Sequence, residues 1–97
     1  MKRVNQRSVY SFLFLLYNMP EMRSLMDAKI IGGFIAQKRK EANLSQKDLS
    51  ERLHVTDKAI SKWERGLSFP DISLLIPLAD ILKVSLYDLL TGGITDE

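Results

Sequence analysis

Residues 45–66 leave the chain little conformational choice. Ser45-Gln46-Lys47-Asp48 has the pattern of a capping box, in which the hydroxyl accepts from the backbone N–H three residues on while the acid reaches back to the cap. Leu49 and Leu53 then share one face, which predicts a helix over 46–53. His54-Val55 makes the turn, and Thr56 is a second N-cap, followed by Asp57 where the helix dipole favours an anion. Ile60 and Trp63 form the inward pair of the second helix, and Gly66 ends it. A three-residue connection makes the two helices cross steeply and leaves the second one proud of the surface. Its outward positions are Asp57, Lys58, Ser61, Lys62 and Arg65, all polar and mostly cationic.

The flanks continue the helical pattern. Ile31, Phe34, Ile35 and Ala42 predict a first helix over 28–42, closed by Asn43, a residue that tolerates left-handed backbone. Gly32-Gly33 weakens its first turn by roughly 1 kcal/mol per glycine relative to alanine. Pro70-Asp71 opens a fourth helix whose apolar positions are Ile72, Leu75, Leu78, Ala79 and Leu82. Pro77 lies inside it, and the lost hydrogen bond predicts a kink. Ser85-Leu86-Tyr87-Asp88 reads as another capping box, starting a short fifth helix that ends at Gly92-Gly93. Five short helices with no strand pattern predict an all-α fold, and 97 residues suffice for one small domain. That domain is placed at 27–92, with a short tail over 93–97.

Residues 1–26 read differently, as an N-terminal extension. An apolar run over 9–17 follows a basic start, but it is shorter than the roughly 20 residues a membrane span requires. No small-x-small cleavage site follows before Pro20, which argues against a secretory leader. Poorly ordered extra sequence, with Met26 as an alternative start, and an added helix or oligomer contact are the readings preferred over a membrane-touching tail.

Composition narrows the function classes. The absence of cysteine removes disulfides and thiolate metal sites and suits a reducing cytoplasm. A single histidine, His54, cannot build a catalytic triad or a zinc site. No Gly-rich phosphate loop, H-E-x-x-H or G-x-S-x-G occurs. The expectation is therefore no enzyme, no cofactor and no metal. The net charge of +2 hides a division along the chain. Residues 28–65 hold nine Lys and Arg against five Asp and Glu, whereas residues 66–97 hold one lysine against five acids. Such polarity fits a domain that turns one face to phosphates and the other to solvent or a partner.

In this setting the stretches Lys38-Arg39-Lys40-Glu41-Ala42-Asn43-Leu44-Ser45-Gln46, Leu49-Ser50 and Thr56-Asp57-Lys58-Ala59-Ile60-Ser61-Lys62-Trp63-Glu64-Arg65-Gly66 are informative. With the segment from Pro70-Asp71 to Leu89-Leu90, they resemble the Cro/CI-type (lambda repressor-like, XRE) helix-turn-helix domains over residues 29–90, with the motif itself at 45–65. The resemblance implies a five-helix DNA-binding domain. Gln46 would touch the DNA backbone and could also reach a base, while Thr56, Asp57, Lys58 and Lys62 would read bases with Ser61 beside them. It also implies a structural ion pair between Arg39 and Glu64. Where the family often has Gly at the turn, this chain has His54, a tolerated left-handed residue. Asp57 serves equally as a cytosine contact or as a helix-dipole acid. Trp63 shares a face with Ile60 and is assigned to the core rather than to base stacking. Lys38 and Lys40 remain open between phosphate contacts and a solvated face.

The expected function is a sequence-specific transcriptional regulator, a repressor in the cytoplasm, that inserts residues 56–65 into the major groove of double-stranded DNA. One such helix reads only a few base pairs, so a homodimer on two half-sites is expected. The alternative is an antitoxin or adaptor, a protein-interaction module on the same fold that holds a protein partner.

Overall fold

Asp27 organises the start of the helical domain, its carboxylate accepting from the backbone N–H groups of Lys29 and Ile30 at 2.8 and 3.1 Å. In the computed structural model, which describes residues 27–93 together with Ser11, Leu13 and Phe14, this cap opens α1 (Ala28–Glu41). Apart from those three positions, the expected N-terminal extension lies outside the described residues, as does the tail over 94–97. Lys38, Arg39 and Lys40 occupy the last turn of α1, where cations complement the helix dipole. Asn43 then takes the left-handed backbone, with φ of 59°.

The capping box of α2 (Gln46–Leu53) forms in full. The Asp48 N–H donates to Ser45 Oγ and the Ser45 N–H to Asp48 Oδ2, each at 2.9 Å. The donor from the Ser45 backbone, then its side chain, hold the Asp48 carboxyl below its usual range. His54 closes the helix in left-handed backbone, with φ of 59°. Thr56 Oγ1 accepts from the Ala59 N–H at 3.1 Å to start α3 (Asp57–Glu64). Arg65 caps α3, and Gly66, with φ of 72°, turns the chain away.

α4 (Ile72–Leu82) continues through Pro77, as the apolar period on both sides of the proline predicts. Pro77 cannot donate to the carbonyl of Ser73, but both residues are exposed, so water can take the missing donor's place. α5 (Leu86–Thr91) begins with only half of the capping box expected there. Ser85 Oγ accepts from the Asp88 N–H at 2.9 Å, and the reciprocal bond to the Asp88 carboxylate is not formed.

Between Asp27 and Gly93 the chain forms five helices and no strand, and no helix among the described residues is long and apolar enough to cross a membrane. The core unites Ile31, Phe34 and Ile35 of α1, Leu49 and Leu53 of α2, Ile60 and Trp63 of α3, Leu78, Ala79 and Leu82 of α4, and Leu89 of α5. Ala42, expected on the apolar face of the first helix, is exposed as the cap of α1. The glycine pair divides into two different roles. A Cβ on Gly32 would stand 2.1 Å from the Trp63 carbonyl oxygen, so the close approach of α1 to α3 requires glycine there. Gly33 faces open space.

Candidate nucleic-acid interface

α3 packs against both α1 and α2, and this double support decides which of its sides stays free. At 3.6 residues per turn, Asp57, Lys58, Ser61, Lys62 and Arg65 fall within an arc of roughly 140°. Asp57, Lys58, Lys62 and Arg65 are exposed and Ser61 is half-buried. The opposite arc carries Ala59, Ile60, Trp63 and Glu64, with Ile60 fully buried and Trp63 at 5% exposure. The helix has an interior side that holds the fold and an exterior side free to meet a ligand.

The interior side ends in a polar cluster. Arg39 Nε donates to Glu64 Oε2 at 2.6 Å and its terminal NH2 nitrogen to Oε1 at 3.0 Å, a bidentate ion pair. The remaining terminal nitrogen donates to the Leu44 carbonyl at 2.8 Å. The two side chains are 10% and 7% exposed, so the charges are largely withdrawn from water. The hydrogen bond from Arg39 to Glu64 raises the guanidinium's pKa above its ordinary value, against the opposing effect of burial. Glu64 thus fixes α1 to α3, and Leu44 fixes the chain that leads from α1 into α2.

Gln46 joins this cluster, with Nε2 donating to Glu64 Oε1 at 3.0 Å. This half-buried side chain, expected to approach the DNA backbone, is anchored at one amide hydrogen to the scaffold. The sequence contains no local signal for the tie, because Gln46 and Glu64 lie 18 positions apart. Thr56 is exposed at the mouth of the motif, its hydroxyl engaged in capping α3. Lys58, Lys62 and Asp57 stand along the outer arc with no hydrogen bond or ion pair to a side chain among the described residues. Ser61 accepts from Arg65, an i,i+4 contact whose spacing was available in the sequence.

The lysines at the end of α1 separate. Lys38 pairs with Glu41 at 3.2 Å and lies 5.6 Å from the centre of the Phe34 ring, so its charge is partly satisfied within the chain. Hydrogen bonds from Gln37 and then Lys38 hold the Glu41 carboxyl below its usual range. Lys40 is exposed. His54 is exposed in the turn, in the left-handed backbone that its residue type tolerates.

A protein-family model described as helix-turn-helix matches residues 35–89. The chain is 38% identical over 58 residues to the HTH-type transcriptional activator BcrR of Enterococcus faecalis, covering 60% of this chain and 28% of that protein. It is 40% identical over 54 residues to an uncharacterized HTH-type transcriptional regulator of Mycobacterium tuberculosis, covering 56% of this chain and 39% of the relative. Identity to the uncharacterized HTH-type transcriptional regulator YqaE of Bacillus subtilis is 39% over 54 residues, covering 56% and 47%. The chain therefore spans less than half the length of each of these relatives. With two capped helices joined by a left-handed turn inside the matched segment, the chain belongs to the lambda repressor-like (Cro/CI, XRE) helix-turn-helix family.

Proposed function

We propose that the chain is a sequence-specific DNA-binding transcriptional regulator that lays α3 into the major groove of double-stranded DNA. The observation that carries this reading is the outer arc of α3. Lys58 and Lys62 are exposed and unpaired among the described residues, while the other side of the same helix is core. Lysine donates to guanine O6 and N7, and Asp57 can accept from cytosine N4. Thr56 and Ser61 flank these readers, and Gln46 offers its second amide hydrogen to a phosphate. The names of the relatives, all HTH-type transcriptional regulators, support the regulatory reading.

In this reading the chain acts in the cytoplasm as a homodimer on two half-sites about one helical turn apart. Repression is the simplest outcome, since occupying an operator needs only DNA binding, whereas activation also needs a productive contact with the transcription machinery. The antitoxin or adaptor reading draws on one observation, the exposure of Ile76 on α4 and Tyr87 on α5 at 54% and 59%. A tight protein partner that covers these side chains, with Lys58→Ala plus Lys62→Ala leaving function intact, would favour it.

Selection of bound duplexes from a random pool, followed by anisotropy titration, tests the main proposal. Enrichment of a two-fold symmetric site is expected, and the Lys58→Ala, Lys62→Ala double variant should bind it at least about tenfold more weakly. Its thermal midpoint should match the parent. A pool that shows no enrichment overturns the proposal.

A further inference from the structure

Arg65 lies at the end of α3, between the predicted readers and the loop that leaves the helix. Its Nε donates both to the Ser61 carbonyl at 3.2 Å and to Ser61 Oγ at 3.1 Å. Neither terminal nitrogen of its guanidinium has a hydrogen-bond or ion-pair partner among the described residues. The group is therefore held at one end and open at the other. This differs from Arg39, all of whose nitrogens are bound within the fold.

Resting on the DNA-binding reading above, we propose that Arg65 is a DNA-backbone contact whose two terminal nitrogens clasp one phosphate, and that Ser61 is the positioning residue for it. Three considerations support the assignment. On the helical wheel Arg65 falls in the middle of the outer arc, between Ser61 and Lys58. Eight residues of α3 rise about 12 Å, close to the width of the major groove. A helix whose first residues meet base edges therefore brings its last residues to the groove wall, where the phosphates run. The C-terminal end of a helix also carries partial negative charge that would repel a phosphate. A cation fixed at that end reverses the sign.

The clasp requires arginine. A guanidinium can give Nε–H to Ser61 and still present two parallel N–H groups to phosphate oxygens, whereas a lysine ammonium is a mobile point charge. The Ser61–Arg65 bond reduces the rotamer freedom that Arg65 would otherwise lose on binding.

Arg65→Ala, Arg65→Lys, Ser61→Ala and Ser61→Thr, each checked for an unchanged thermal midpoint, would be titrated by anisotropy against the selected duplex over a range of salt. Arg65→Ala should bind severalfold more weakly, equally on selected and on scrambled duplex. The slope of log affinity against log salt should fall by about one. Arg65→Lys should keep most of the slope but lose affinity. Ser61→Ala should keep the slope and lose about threefold in affinity, and Ser61→Thr, which retains the hydroxyl, should restore it. An unchanged affinity and slope in Arg65→Ala overturns the phosphate contact while the DNA-binding reading stands. A changed preference at one base position also overturns it, in favour of base readout. Parent-like binding by Ser61→Ala overturns the positioning role. A parent chain that retains no duplex at all overturns both this inference and the reading beneath it.

Discussion

The two sides of α3 and its cap Arg65 serve opposite ends. On the inner side Ile60 and Trp63 are buried, and Glu64 is held by Arg39 and Gln46. On the outer side Lys58, Lys62 and Arg65 are exposed and keep donors free. A side chain whose donors and apolar surface are already satisfied inside the molecule contributes to stability and cannot also bind. One whose donors are free adds little to stability and is available to a ligand. The contrast between the two arginines, 39 and 65, makes the same point with identical chemistry: partner supply within the fold, and not residue type, separates scaffold from interface.

The comparison can be broken first where it is strongest. Trp63→Ala should cost about 3–5 kcal/mol, a large share of the roughly 5–15 kcal/mol that a domain commands. Urea unfolding would show a lowered midpoint, and a midpoint equal to the parent's would mean the inner side is not the structural one. Glu64→Ala should cost about 3 kcal/mol by leaving Arg39 buried without its carboxylate, as a lowered urea midpoint would show. Arg39→Ala combined with it should cost less than the sum of the two singles, a coupling that a double-mutant cycle measures. The glycine pair sharpens the contrast with a smaller effect of opposite signs. Gly32→Ala drives a methyl group into the Trp63 carbonyl and should destabilise by about 1–3 kcal/mol. Gly33→Ala, with nothing within 4 Å, should stabilise by up to about 1 kcal/mol through helix propensity. Thermal or urea unfolding of the two variants side by side decides it; equal shifts would remove α1–α3 proximity as the explanation.

Much of the motif is legible because its signals are local. Ser45 and Thr56 announce caps, since a side-chain acceptor serves N–H groups only two or three positions away. Asn43, His54 and Gly66 sit at left-handed turns for which their residue types are suited. Ile60 and Trp63 fall inward by helical period alone. Spacing is a poorer guide at Gly32, whose role depends on a distant element, and at two helix ends. Gly32 read as a weakness of α1 and proves to be its point of contact with α3. Ala42 fits the apolar period and is nevertheless exposed, because the helix ends there. The Ser85 and Asp88 spacing promises a full capping box, of which one bond forms.

The sequence by itself determined where each helix starts and stops and which side of α3 turns inward, because capping, left-handed backbone and apolar period operate within about four residues. Only the tertiary structure decided that Gln46 is tied to Glu64, that Gly32 lies beneath Trp63, and that Arg65 keeps two nitrogens free. Those outcomes follow from which donor meets which acceptor once α1, α2 and α3 are packed together, and helix-to-helix approach is not written in the spacing of neighbours.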